Sequence, residues 1–217
     1  MNSRFRPVWV PSRPSFANRW FGYSPKLRRE VAVAGNLMSD RLTLLEVDPE
    51  VVDFCEYPLE TDVLVNGRSI HVRFSYWVKF KTGRERLEAV VPSRAGAQLR
   101  AQRLWCKSWH WEFKEWTPTE LNRGPFTLTN WKSILSFYTH ASHAKRISAI
   151  LAHKRTLLER LKGAGPMPIG LLVSSEREGR RVEIELAAFD LLREGSAIAD
   201  LSEQTFSPNT IISPRIL

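Results

Sequence analysis

The chain has 217 residues, enough for one large domain or two small ones, and its 43% hydrophobic and 25% charged residues are those of a folded chain rather than a disordered one. No apolar run approaches the roughly 20 residues that span a bilayer, and the Arg-dotted start lacks a signal-peptide core, so a cytoplasmic, nucleoid-associated chain without a membrane partner is expected. A net charge of +9 favours a polyanionic partner through counterion release, which makes DNA the leading candidate, and two cysteines are too few for a disulfide framework or a thiolate metal site.

Residues 1–33 carry Arg4, Arg6, Arg13, Arg19, Lys26, Arg28 and Arg29 against the single acid Glu30. Pro7, Pro11, Pro14 and Pro25 interrupt them, so a basic extended arm is predicted. Leu37, Leu42, Leu44 and Leu45 suit a short helix over 36–46, and Asp48 with Pro49 forms a second helix start before the chain turns extended. Residues 63–91 alternate apolar and polar positions around Asn66-Gly67, the dipeptide that best supplies the positive φ angles of a tight hairpin. They read as a three-stranded meander, with strands at 63–65, 70–78 and 85–91. On its middle strand Ile70, Val72, Phe74, Tyr76 and Val78 share one face.

Ser93 reads as the N-cap of a helix with Leu99 and Leu104 inward and Arg94, Arg100 and Arg103 outward, and a strand over 108–116 follows. Strand, helix, strand at this spacing is a crossover, so the last strand runs parallel to a meander strand in a mixed sheet flanked by helices, an α/β (α+β) domain. Further helices are predicted at 118–122, 129–139, 145–162 and 180–193, with a short element at 166–175 and strands at 197–201 and 210–212. Three helices followed by a two-stranded ribbon is the plan of a winged helix, with 180–193 as its groove-facing helix and 202–209 as its wing. The expected domains are the arm 1–33, a sheet domain 34–141 and the winged helix 142–217.

Five strings stand in an order that resembles the TnsA-type endonuclease subunit of heteromeric cut-and-paste transposons. They are YSPK at 23–26, LLEVDPEVVDF at 44–54, RLEAVVPS at 86–93, TPTELNRGPFTLTNWKSILSFY at 117–138 and ADLSEQTFSPNT at 199–210. The resemblance runs from about residue 23 to the C-terminus and implies a restriction-endonuclease-like domain followed by a winged helix. It also implies DNA, a transposase subunit and an ATPase regulator as partners. Such nucleases cut with helix acids, an Asp on the middle strand and an acid-x-Lys on the next strand, the carboxylates holding divalent metal.

Alignment on LLEVDP puts Ala34 and Met38 at the helix acids, Ser75 at the Asp and Val90 at the Lys, with Tyr57 in place of a Gln. Glu88 alone matches a catalytic position. One carboxylate does not hold Mg²⁺ tightly, so a nuclease-like fold without hydrolysis, cofactor or metal is expected, binding DNA within a transposition complex. The cations expected to meet phosphates are Lys26, Arg28, Arg29, Arg94, Lys145, Arg146, Arg177, Arg180 and Arg181. Two alternatives stand beside this reading. One is a Mg²⁺-dependent endonuclease with a relocated site at Glu88, Asp40 and Lys79, and the other is a regulator that uses only the winged helix. Among five histidines only His140 and His143 approach metal-ligand spacing, with no companion ligand.

Overall fold

The computed structural model describes residues 4–11, 18–93, 96–140, 147–174 and 180–215. Two compact units emerge: 1–22, 30–45 and 50–122 form the first, and 23–29, 46–49 and 123–217 the second. This division differs from the expected boundaries at 33 and 141. The helix over Thr127–His140 belongs to the second unit, because its Ile134 and Tyr138 lie in that unit's core.

In the first unit the central sheet contains β3 (Val51–Glu56), β6 (Tyr76–Phe80), β7 (Glu85–Val90) and β8 (Glu112–Trp116), in that order. The first three run antiparallel, and β8 runs parallel to β7 across the crossover helix α2 (Ala97–Ser108). The result is the mixed, helix-flanked α/β sheet that the sequence predicts. Cys55, Trp77, Leu87 and Phe113 pack with Ala101 and Cys106 of α2 on one face. Tyr76, Val78, Arg86 and Glu88 turn to the other face, where Tyr76 and Glu88 meet α1 (Asn36–Val47).

The expected meander is broken in the middle. Its central strand is two strands, β5 (Arg68–Arg73) and β6, in different sheets; β5 pairs with β4 (Glu60–Val65) as a separate ribbon. The turn between them is Asn66-Gly67, with φ of 51° and 76°. At the break Phe74 N–H donates to Leu59, Ser75 N–H donates to the Glu88 carbonyl, and the Ser75 carbonyl accepts from Tyr57. Phe74 therefore packs on Trp105 and Phe113, on the α2 face, while Tyr76 faces α1. Irregular backbone between them reverses the alternation that the sequence carries straight through.

Smaller differences have local causes. Gly96, with φ 138°, takes the N-cap of α2 in place of Ser93, and the helix runs on to Ser108, so β8 starts at Glu112. Leu104 faces outward and is exposed. Asp48-Pro49 makes a turn and no helix, because β3 begins at Val51. The basic arm is not solvated throughout: Phe5 packs on Trp77 and Trp111, Trp9 meets the edge of Tyr57, and Val8 N–H donates to the Tyr57 carbonyl. Residues 19–34 form the hairpin β1 (Arg19–Ser24) and β2 (Arg29–Ala34). The short helix α3 (Pro118–Leu121) closes the unit behind a capping box of Thr117 and Glu120.

The second unit contains α4 (Thr127–His140), α5 (Ile147–Ala164), β9 (Met167–Pro168), α6 (Ile169–Ser174), α7 (Arg181–Arg193), β10 (Ala197–Ala199) and β11 (Ile211–Pro214). β11 lies antiparallel between β10 and β9. Ile150, Leu157 and Leu161 of α5, Leu172 of α6, Ile184 and Leu191 of α7 and Ile212 of β11 share one core. Asn130 of α4 holds the β10–β11 loop in register: its amide donates to the Leu201 and Gln204 carbonyls, and its oxygen accepts from Phe206 N–H.

Candidate functional site

Glu88 lies at the centre of β7 and is 0% exposed. Arg41 reaches it from α1 as a two-pronged pair, Nε to Oε2 at 2.7 Å and Nη2 to Oε1 at 2.8 Å. Arg86, two residues back on the same face of β7, adds Nε and Nη2 to Oε1 at 2.8 and 2.7 Å. Four N–H groups thus converge on one carboxylate. Burial by itself raises the Glu88 carboxyl, but the Arg41 guanidinium and then Arg86 outweigh it and hold the group below its ordinary value. The Arg41 guanidinium lies over the ring of Trp116, from the parallel strand β8, 4.2 Å from its centroid, with Lys114 Nζ at 5.1 Å from the same ring.

The helix that brings Arg41 is itself pinned by polar contacts. Tyr76 Oη donates to the Met38 carbonyl at 2.7 Å, and Ala34 N–H donates to Tyr57 Oη at 2.9 Å. Burial raises the Tyr76 phenol well above its ordinary range, so it remains a donor. Ser75 Oγ accepts Val90 N–H at 2.8 Å, filling a gap in the β6–β7 ladder. Each position where the resemblance implies a lost acid or Lys is therefore tied into the fold. Ala34, Met38 and Val90 also line one cleft of about 410 Å³ with Asn18, Asn36 and Pro92. Its walls offer two amides and no carboxylate.

The relocated trio does not assemble around Glu88. Lys79 stands opposite Glu85 in the β6–β7 register and pairs with it at 3.7 Å, so it points to the sheet face away from Glu88. Asp40 is half-buried on α1. Among the described residues no group of three His, Cys, Asp or Glu side chains converges on a point where a metal could sit.

The predicted phosphate contacts divide. Arg94, Lys145, Arg146 and Arg177 lie outside the described residues. Lys26 is half-buried and donates through Nζ to the Asp48 carbonyl at 2.7 Å, which uses it internally. Arg29 is half-buried, whereas Arg28, Arg180 and Arg181 are exposed, the last paired with Glu185 at 2.9 Å. α7 is buried from Leu186 to Arg193, so only its first turns reach solvent, and the expectation that the whole of 180–193 presents a groove-facing surface does not hold. Beside those turns a cavity of about 270 Å³ opens between Ile169, Val173, Phe189, Phe206 and Pro208.

Arg41, Tyr76 and Trp116 were not singled out by sequence reasoning. Arg41 had a readable signal: it sits three residues after Met38 and four before Leu45, on the buried stripe of its helix, where a cation requires a buried partner. No protein-family model matches this chain, and a comparison with curated proteins returns no match.

Proposed function

We propose that this chain is a DNA-binding subunit with nuclease-like architecture and a closed cleavage centre, acting in a transposition complex like those that use TnsA-type subunits. The observation that carries the reading is the state of Glu88. The single acid that the resemblance retains is bound through both oxygens by Arg41 and through Oε1 by Arg86, so a permanent guanidinium stands where a catalytic cation would bind. The order α1, β3, β6, β7, α2, β8, with the last two strands parallel, supports a restriction-endonuclease-like core for the first unit. The order α5, β9, α6, α7, β10, β11, with β11 central, supports a winged helix for the second, its wing the loop that Asn130 holds. Exposed Arg28, Arg180 and Arg181 and a net charge of +9 support the DNA backbone as ligand, with a transposase subunit or an ATPase regulator as protein partner.

The test is retardation and cleavage of supercoiled and branched DNA with Mg²⁺ or Mn²⁺. The expected result is a retarded complex that weakens as salt rises, with no nicking. Metal-dependent nicking by the purified chain refutes the closed centre, and failure to retard DNA at low salt refutes DNA binding.

A further inference from the structure

Within the second unit α6, α7 and the loop between β10 and β11 enclose the cavity of about 270 Å³. Its α7 wall is made by Arg181, Glu185 and Phe189, which stand four residues apart and so form one stripe, charged at the start of the helix and apolar further along. Phe189 meets Phe206 of the loop edge to face at 5.7 Å and 68°, and Ile169, Val173 and Pro208 complete an apolar lining. The walls are fixed to one another. Gly170 N–H donates to the Pro208 carbonyl at 2.8 Å and Ile169 N–H to that of Thr210 at 2.9 Å, which ties α6 to the loop. A Cβ on Gly170 would stand 2.9 Å from Pro208, so this close approach requires glycine. Asn130 accepts Phe206 N–H and holds the loop as well. The cavity is therefore preformed, in a fold class whose packed interiors leave few voids larger than a water molecule.

We propose that this cavity binds a small molecule built from a flat aromatic ring and a zwitterionic amino-acid head. An apolar cavity of about 150 Å³ takes benzene, so this one has room for a two-ring system or for one ring on a short chain. The Phe189 and Phe206 rings suit an aromatic guest packed edge to face. Polar groups of the α6 wall are already engaged: the N–H groups of Ile169 and Gly170 go to loop carbonyls, and Ser174 Oγ donates to the Leu171 carbonyl. Recognition of a polar head falls to the rim. There Arg181 Nε donates to Glu185 Oε1 at 2.9 Å, which leaves both terminal nitrogens of Arg181 and Oε2 of Glu185 without a partner among the described residues. A carboxylate fits the guanidinium and an ammonium fits the open carboxylate oxygen. A ligand with one charge alone, a phosphate included, meets a like charge beside its partner. The site goes beyond the reading of the chain as DNA-binding, and its failure leaves that reading standing.

The experiment is isothermal titration calorimetry of the full chain with L-tryptophan and L-phenylalanine, the two-ring and one-ring cases. Indole-3-acetate and tryptamine supply the acid and the amine alone, and N-acetyl-L-tryptophanamide presents the ring as a protein chain would. The better of the two amino acids is expected to bind with a Kd of about 0.1–1 mM, ordinary efficiency for a ligand of this size. The singly charged compounds and the blocked amide are expected to bind roughly 10-fold or more weakly than L-tryptophan, each lacking at least one charge-assisted bond. Arg181→Gln is expected to lower L-tryptophan affinity roughly 10-fold without weakening tryptamine. Ser174→Trp, which adds a large ring at an exposed lining position, is expected to abolish binding, and each variant is checked for native circular dichroism. No saturable heat from either amino acid overturns the site. Equal binding of indole-3-acetate or tryptamine overturns the zwitterionic head, as does L-tryptophan binding left intact by Arg181→Gln. Equal binding of the blocked amide overturns the proposal in favour of a side chain presented by a protein partner. Binding unchanged in Ser174→Trp puts the ligand elsewhere and overturns the cavity as its site.

Discussion

Glu88→Gln keeps the shape of the side chain and removes one negative charge from a site that holds two guanidiniums. The Arg41 side chain is 4% exposed and Arg86 13%, so neither cation can turn to solvent without moving the helix or strand that carries it. The amide also offers one acceptor and one donor where the carboxylate accepted four N–H bonds, and the new NH₂ group faces a guanidinium. Breaking a buried pair by removing one partner costs about 3–5 kcal/mol. At roughly 2–4 °C per kcal/mol for a chain of this size, the unfolding midpoint falls by about 6–20 °C. The measurement is thermal and urea unfolding followed by tryptophan fluorescence. Adding Arg41→Met to Glu88→Gln removes the stranded cation and is expected to recover at least half of the loss, because Arg86 retains Glu112 nearby at 4.0 Å. A cost below about 1 kcal/mol, or a Mg²⁺-induced rise in the wild-type midpoint that Glu88→Gln abolishes, refutes the claim that the two arginines occupy this carboxylate.

Acid pH separates the two units. Glu88 is depressed in the fold, so its contribution is present above the unfolded value and lost as pH falls below about 4.5, whereas buried Glu46 is raised by desolvation, so its ionisation costs stability as pH climbs past 4.5. Glu46→Gln is therefore expected to flatten the pH dependence of the second unit's unfolding above about pH 4.5, and Glu88→Gln that of the first below it, read by unfolding at stepped pH. Both cysteines are buried and burial pushes the Cys106 thiol up to about 12, so neither is expected to react with an aromatic disulfide reagent at pH 8 in native buffer, and both in urea. Rapid native labelling of either refutes their burial. Ser75→Ala strips Val90 N–H of its acceptor and is expected to cost about 1 kcal/mol in urea unfolding. Ser75→Asp combined with Val90→Lys, which restores the family pattern on both strands, is expected to give no metal-dependent nicking of supercoiled DNA while Arg41 still holds Glu88.

Elements whose signal is local could be read directly. The apolar stripes of α1, α5 and α7, the positive-φ turn at Asn66-Gly67 and the crossover through α2 all lie within a few residues of the feature that specifies them. Ser75 shows what cannot be read that way. Its neighbours alternate without interruption, and the strand breaks there because Leu59, Tyr57 and Glu88, all distant in sequence, take its backbone bonds. The unit boundary escaped for a similar reason. Ile134 and Tyr138 look like one more amphipathic helix of the sheet domain, and only packing against Phe189 and the α7 core assigns α4 to the other unit. At the candidate site the resemblance implied which acids and Lys were absent; it did not show that Arg41 pairs with Glu88, because a cation inside a helix is ordinarily a solvated one.

The way Glu88 is held bears on the closed cleavage centre proposed for this chain. Loss of the surrounding acids would leave Glu88 as an isolated buried carboxylate, a costly arrangement that replacement by an apolar residue would relieve at least as well as two arginines do. The chain instead holds a two-pronged Arg41–Glu88 pair, a second arginine from the same strand and an indole stacked on the first. With Tyr76 on the Met38 carbonyl and Tyr57 on the N–H of Ala34, the last residue of β2, these are directional contacts on α1 and on the strand that leads into it. Apolar packing would tolerate α1 sliding or rotating on the sheet, whereas these bonds are satisfied together in one position only. Their joint effect is to fix the helix that forms one wall of the cleft at Ala34, Met38 and Val90, which makes that wall a rigid surface.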